Sequence, residues 1–190
     1  EYNGLLESAC FEDGQMSCLS CHAMHGYEEP NDLLSRDLQG DESCTQCHAE
    51  VGESIEAHTH HAPASAGSRC LNCHMPHTTY GLFTAIRSHH IDSPSVEVSV
   101  RTGRPNACNQ CHVDQTLAWA GEHLTDWYGH APVKLEPAQR ETSATLLWLL
   151  EGDAAQRALA AWSLGWDEAR AVSGEGWQAP FLARMLVDPY

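Results

Sequence analysis

The chain has 190 residues, which suits one domain or two small ones, and a formal net charge of −16 at pH 7. This acidic excess argues against binding to nucleic acid or to an anionic membrane surface, and it allows a basic protein partner or a positively charged acceptor. The most apolar run, Ala144 to Leu150, is far too short to cross a bilayer, so we expect no membrane span.

The first 17 residues have neither the basic nor the apolar region of an export signal, and they contain one cysteine, Cys10. This thiol lies outside all the paired motifs described next. We interpret Cys10 as a small buried side chain, with a free reactive thiol or an inter-chain disulfide as the alternatives.

Four motifs of the form Cys-x-x-Cys-His follow along the chain. With nine Cys and 13 His in 190 residues, chance would give roughly 0.03 matches. Two thiols at i and i+3 add across the vinyl groups of one haem, and the next His ligates the iron from the proximal side. The motifs predict four covalent c-type haems, attached by Cys18, Cys21, Cys44, Cys47, Cys70, Cys73, Cys108 and Cys111 and ligated by His22, His48, His74 and His112.

Two other uses of paired cysteines are weaker explanations. Four Cys-x-x-Cys pairs would suffice for two four-cysteine zinc sites, but zinc does not require the His that follows every pair here. A disulfide framework is weaker still, because eight of the nine cysteines lie in these pairs.

Additional histidines are candidate ligands for the distal faces of the irons. A motif His is fixed against its own haem. His25 and His123 each follow a motif His, and each is expected to ligate a different haem from the one that this motif His binds. Met24 is a weaker thioether candidate. The remaining candidates form two clusters, in which His61 is favoured over His60 and His58, and His89 competes with His90.

The haem-binding region is predicted to be helical between its loops. Asp41 or a neighbour caps a helix from Cys44 to about Ala57, and a short helix over 79–88 packs Tyr80, Leu82, Phe83 and Ile86 on porphyrin. The alternation of Val96, Val98 and Val100 predicts a short strand or an extended crossover. Asn106 is expected to cap a long helix from Ala107 to about Tyr128.

The composition changes after Pro132, because residues 131–190 contain no Cys and no His. Four helices are predicted there: Pro137–Glu151, Asp153–Leu164, residues 167–172 and Trp177–Val187. The predicted fold class is mainly α with much coil. Residues 1–131 would form a haem-packed tetrahaem cytochrome region, and residues 132–190 an α-helical appendage.

Several stretches resemble a family of multihaem c-type cytochromes that carry a doubled CxxCH region followed by HEAT-like helical repeats. They are S-C-L-S-C-H-A-M-H-G (17–26), the run 58–81, I-R-S-H-H-I-D-S-P (86–94) and residues 104–120, while 148–159 and 186–190 resemble the opening of the helical part. The resemblance implies helix and coil wrapped on closely spaced haems, and relatives that extend beyond both ends of this chain.

The pattern C-H-M-P followed by H-x-I is similar to that of pentahaem nitrite reductases. In those enzymes the His of H-x-I is a distal haem ligand, and the matching residue here is His89 rather than His90. Their catalytic haem is bound through Lys in place of the motif His. All four motifs here end in His, so the resemblance does not extend to that catalytic haem.

These observations predict an electron-transfer protein with mostly bis-His haems. Because haem c is attached outside the cytoplasm, we expect a periplasmic or extracellular location, with either a removed export signal or a missing start. The partners would be redox proteins or an extracellular acceptor. One variant is a homopolymeric cytochrome filament with inter-subunit haem contacts. The alternative is an oxidoreductase for a small nitrogen or sulfur compound, with Arg87, Tyr80 and His77 above one open haem.

Overall fold

A computed structural model describes residues 1–14, 16–80 and 84–189. Backbone contacts divide the chain into two compact units. Unit one comprises Glu1–Met75 and Ser88–Asp92, and unit two comprises Pro76–Arg87 and Ser93–Tyr190. The structure is mainly helical with much coil, which confirms the predicted fold class. The predicted functional division at residue 131 stays a prediction.

Unit one consists of short helices joined by loops and 3₁₀ turns. Several of these short segments include or adjoin a CXXCH motif, and none of the helices exceeds five residues in the described part of this unit. The helices are α1 (Tyr2–Leu6), α2 (Ala9–Glu12), α3 (Glu42–Thr45), α4 (Ala49–Glu53), α5 (Ile55–Thr59) and α6 (Cys70–His74), and the 3₁₀ turns are Cys18–Ser20, Arg36–Leu38 and Ala66–Ser68.

The single helix predicted from Cys44 to Ala57 is wrong, because this stretch contains three short helices. The backbone leaves the helical conformation at His48 (φ −109°, ψ 49°) and again at Ser54 (φ −128°, ψ 37°). The Asp41 side chain does not cap α3. It accepts a hydrogen bond from the Cys70 amide at 2.9 Å instead, which connects the second motif to the third.

Unit two contains the longer helices and one two-stranded antiparallel sheet. The strands are β1 (His77–Tyr80) and β2 (Thr84–Arg87), paired with His77 opposite Arg87. The helices are α7 (Val96–Thr102), α8 (Ala107–Cys111), α9 (Leu117–Tyr128), α10 (Pro137–Glu141), α11 (Ala144–Glu151), α12 (Ala154–Gly165), α13 (Asp167–Ser173) and α14 (Ala179–Met185).

Two predictions around the sheet are wrong. The helix expected over residues 79–88 is replaced by β1 and β2, whose Thr and Ile side chains are β-branched and favour strands. Leu82 and Phe83 of that prediction lie outside the described residues. The strand expected at Val96–Val100 is helix α7, because Ser95 caps it through the Val98 amide and Gly103 ends it at φ 74°.

Two predicted long helices are each broken by an internal cap. The Asn106 cap is confirmed, since its side chain accepts a hydrogen bond from the Cys108 amide. Helix α8 nevertheless ends at Cys111, and Thr116 caps the separate helix α9. In the same way Ser143 accepts from the Leu146 amide and starts α11, so Pro137–Glu151 is two helices. A hydroxyl that satisfies an amide at a new helix start competes with continuing the previous helix.

The core of unit two lies beneath the fourth motif. Leu149 and Val113 are fully buried in a cluster that also contains Ala160, Leu164 and Ala169. The Thr145 hydroxyl donates to the carbonyl of buried Asn109 at 2.7 Å, which attaches α11 to α8. This packing fixes the position of the backbone of the Cys108–His112 motif within unit two. In the part of the chain that the structure describes, no helix is long and apolar enough to cross a membrane.

Candidate haem-binding sites

Each of the first, third and fourth motifs forms roughly one helical turn. This turn is a 3₁₀ turn at Cys18–Ser20, helix α6 at Cys70–His74 and helix α8 at Ala107–Cys111. Residues at i and i+3 lie on the same side of such a turn, so the two sulfurs of a motif share one side. All eight motif thiols are exposed or half-buried, which leaves them accessible to an attached group.

The structure brings the first motif His next to the predicted distal ligand His89. The ring centres of His22 and His89 are 6.0 Å apart, and their planes are inclined by 18°. Both residues belong to unit one, although 66 positions in the sequence separate them. His89 Nδ1 lies 3.5 Å from a carboxylate oxygen of Glu1, a contact that helps to set the orientation of the ring.

A second pair of the same kind forms at the third motif. The ring centres of His74 and His58 are 6.1 Å apart, with an angle of 14° between the planes. His74 Nδ1 lies 3.0 Å from the carbonyl oxygen of Asp92, so Nδ1 carries the proton and Nε2 is available. Burial, followed by the nearby charges of His74 and His60, lowers the pKa of His58, which favours the neutral imidazole that binds metals.

Both pairs have the spacing that an axially ligated iron requires. An imidazole nitrogen binds a metal at about 2 Å and the ring centre lies about 1 Å behind it, so two rings on opposite sides of one iron have centres about 6 Å apart. The two pairs match this distance within a few tenths of an ångström. His22 with His89 and His74 with His58 could therefore each hold one haem iron between two imidazoles.

His61, the favoured distal ligand of its cluster, has a different environment. Its Nδ1 lies 2.6 Å from the Thr59 carbonyl, and its ring is packed so closely on Gly67 that a Cβ there would collide with it. His60 is exposed and occupies the left-handed region (φ 56°) at the end of α5. The structure thus brings His58 beside a motif histidine, and the ligand role predicted for His61 stays a prediction.

The fourth motif is surrounded by tryptophans of helix α9. The ring of Trp119 packs on His112 at 4.7 Å and on His123 at 4.5 Å, and Trp127 stacks on the other side of His123 at 4.5 Å. Trp119 therefore lies against both His112 and His123. The expectation that His123 ligates a haem other than that of His112 stays a prediction.

The remaining predicted ligands, His25 and His48, are exposed. The thiols nearby are clustered, since Cys44 and Cys70 are hydrogen-bonded to each other. This bond lowers the pKa of Cys44 to about 6 and, with burial, raises the pKa of Cys70. A thiolate is the reactive form of cysteine, so Cys44 is the more nucleophilic thiol of the two before haem attachment. Cys10 is half-buried.

The residues considered for an enzyme site lie in unit two. The sheet places Arg87 opposite His77, whose ring packs on Trp162 and Trp166 at 4.2 and 5.2 Å. Burial, with a smaller contribution from Arg87, lowers the pKa of His77 to about 4. Nothing in the structure describes the side chain of Tyr80. His77 and Arg87 are thus brought together, in a tryptophan-lined environment.

Three residues that help to form these sites were missed by sequence reasoning. Ser8 and Gly4 contact the backbone around His89, and Asp92 contacts His74. Asp92 lies within the quoted stretch 86–94, but its carbonyl contact depends on the folded path of the chain. No feature of the sequence distinguishes Ser8 from the other serines.

A four-cysteine zinc site needs two Cys-x-x-Cys pairs around a single ion. Among residues 1–14, 16–80 and 84–189, no group of three or more His, Cys, Asp or Glu side chains is arranged to hold one metal ion.

Comparison with known proteins gives one match. The family model described as the doubled CXXCH motif matches residues 9–53, which include the first two motifs. No curated protein and no solved structure matches the chain significantly. The doubled motif is consistent with a multihaem c-type cytochrome, and CXXCH motifs indicate covalent binding of haem c.

Proposed function

We propose that the chain is a tetrahaem cytochrome that transfers electrons and has no open iron for a substrate. The observation that carries this proposal is the pair of histidine couples, His22 with His89 and His74 with His58, at ring distances of 6.0 and 6.1 Å. When bound, haem iron supplies a one-electron couple whose potential depends on its axial ligands and surroundings. With an imidazole on each face, such an iron would have no vacant coordination position.

The roles of the individual residues follow from this proposal. The eight motif cysteines attach four haems, and the four motif histidines are their proximal ligands. His89 and His58 are the distal ligands at the first and third motifs. His25 and His123 are the proposed distal ligands of the other two. The carboxylate of Glu1 and the carbonyl of Asp92 orient ligand imidazoles by holding their Nδ1 atoms.

The charge of the chain favours a cationic redox partner or acceptor. Unit one, which carries three of the four motifs, contains no lysine and only two arginines, Arg36 and Arg69. Arg69 is also paired with Asp41 at 3.4 Å. A strongly acidic surface accelerates encounter with a positively charged partner and slows encounter with an anionic one. We place this activity in the periplasm or outside the cell, where haem c is attached.

A filament built from copies of this chain is a second way in which the proposed electron transfer would take place. His60 and His90 lie outside the two proposed couples, and ligation of a neighbouring subunit's haem by such a residue would create a continuous chain of haems. Electron microscopy of the purified protein distinguishes fibres from single particles. The oxidoreductase alternative instead requires one five-coordinate iron, which ligand-binding spectra would detect.

The experiment that tests the function is a spectroelectrochemical titration of the purified protein. We expect reversible uptake of four electrons per chain without turnover of nitrite, hydroxylamine or sulfite. Reduction by a cationic metal complex should be faster than by an anionic complex of similar driving force, and the difference should shrink as salt rises well above 0.1 M. A catalytic current with one of the three compounds would establish the enzyme alternative instead.

A further inference from the structure

Residues 88–92 are held in unit one by the N-terminal helices. Ser8, between α1 and α2, is completely buried. Its Oγ accepts a hydrogen bond from the Ile91 amide at 2.9 Å and lies 3.2 Å from the carbonyl oxygen of His89. The hydroxyl proton is shared between this carbonyl and that of Gly4 at 3.1 Å, so one hydroxyl contacts the backbone on both sides of His90. A serine with no exposed surface and two long-range backbone contacts is a structural anchor for this segment.

Gly4 allows helix α1 to approach the same segment closely. A Cβ at residue 4 would lie 2.8 Å from the backbone nitrogen of His90 and 3.2 Å from the carbonyl carbon of His89. Both contacts are with backbone atoms, which cannot move aside by rotating a side chain. Any residue larger than glycine at this position would push residues 89 and 90 away from α1.

The other end of the segment contacts the third motif. The Asp92 amide donates to the carbonyl oxygen of His74 at 3.1 Å, and the Asp92 carbonyl oxygen lies 3.0 Å from His74 Nδ1. Five consecutive residues thus include the imidazole facing His22 and the carbonyl that orients His74. The backbone of this segment couples two of the proposed haem ligands.

We propose that Gly4 and Ser8 are positioning residues for two haem ligands, His89 directly and His74 through Asp92. This inference rests on the proposed function, because it assigns His89 and His74 to irons. If the 88–92 backbone separates from α1, the His89 ring moves with it relative to His22. The contacts of the Ser8 hydroxyl, and the close backbone approach that Gly4 permits, keep the His89 ring at its distance from the His22 ring. Neither residue would touch haem.

Two variants perturb the anchor by different means. Ser8→Ala removes the acceptor for the Ile91 amide, and Gly4→Ala forces the backbone apart. We expect both to retain full haem content, and both to increase the rate at which one reduced haem per chain binds carbon monoxide after His89 dissociates. The expected increase is about tenfold, from the loss of one buried hydrogen-bond partner. Exchange of the Ile91 amide hydrogen should also accelerate about tenfold in Ser8→Ala.

Matched controls separate this effect from general destabilisation. Ser54→Ala removes an exposed hydroxyl that contacts the Glu50 carbonyl in the same unit, and Gly165→Ala adds a Cβ where no heavy atom lies within 4 Å. Both should bind carbon monoxide like the wild type. His89→Ala provides the upper limit, one haem per chain that binds carbon monoxide without waiting for a ligand to leave.

The outcomes distinguish the anchor from the proposed function. Wild-type carbon monoxide kinetics in both Ser8→Ala and Gly4→Ala, with an open iron in His89→Ala, would overturn the anchor and leave the function intact. No change in His89→Ala would overturn the ligand assignment on which the anchor rests. If Ser8→Ala does not fold, Gly4→Ala alone decides, and unaltered kinetics in it contradict the inference.

Discussion

The proposal that His58 is a distal haem ligand predicts that its substitution has a different effect from substitution of the neighbouring histidines. Replacement by Ala removes an imidazole whose ring centre lies 6.1 Å from that of the motif histidine His74. Under the proposed function, one iron of four would then lose its sixth ligand. About a quarter of the haem should therefore become high-spin in the oxidised protein and bind carbon monoxide when reduced. His61→Ala should leave every iron low-spin, because the His61 ring is held by Thr59 and Gly67.

The assay compares three variants at equal haem content. Electron paramagnetic resonance gives the high-spin fraction, and a carbon monoxide difference spectrum gives the number of open haems per chain. His60→Ala is the matched control, because His60 is exposed and adjacent to the same cluster. An open haem in His61→Ala together with a wild-type spectrum in His58→Ala would refute the use of ring spacing to identify ligands.

Three further predictions concern haem content and unit two. The double variant Cys108→Ala, Cys111→Ala should contain three haems per chain in a pyridine haemochrome assay; a value of four would exclude attachment there. Leu149→Ala should lower the free energy of unfolding by about 2–5 kcal/mol, whereas Leu150→Ala, at an exposed neighbour, should cost far less. The pKa of His77 is 6.5 in the unfolded chain and about 4 in the folded chain, so thermal stability should decrease as pH falls between those values. His77→Phe should lose less stability than the wild type over the same pH range. Equal losses of stability in the variant and the wild type would contradict this prediction.

The attachment motifs can be recognised from the sequence alone because their chemistry is local. Two thiols and an imidazole within five residues are enough to define a haem c site, and no distant part of the chain is needed. The mainly helical class was predictable for a similar reason, since caps such as Asn106 and Asp153 act on amides two or three residues away. Where a second cap interrupted a helical pattern, as at Thr116 and Ser143, the predicted helices were too long.

Which histidine rings lie side by side was harder to predict, because it depends on the path of the chain. His58, His60 and His61 have nearly equivalent positions in the sequence, and only the turn at the end of α5 separates their directions. The resemblance, rather than the spacing in the sequence, favours His89 over His90 as a ligand. The alternation at Val96–Val100 indicated a strand, but one capping serine and a C-terminal glycine were enough to form a helix. Long-range anchors such as Ser8 leave no local pattern.

The most direct test of the account is the spectrum of the purified wild-type protein. Electron paramagnetic resonance of the oxidised form and absorption of the reduced form, with and without carbon monoxide, report every iron at once. The account predicts four low-spin haems per chain, with no iron open to carbon monoxide until a histidine has dissociated. A high-spin haem that binds carbon monoxide in the wild type would contradict the claim that all four irons are saturated by histidine.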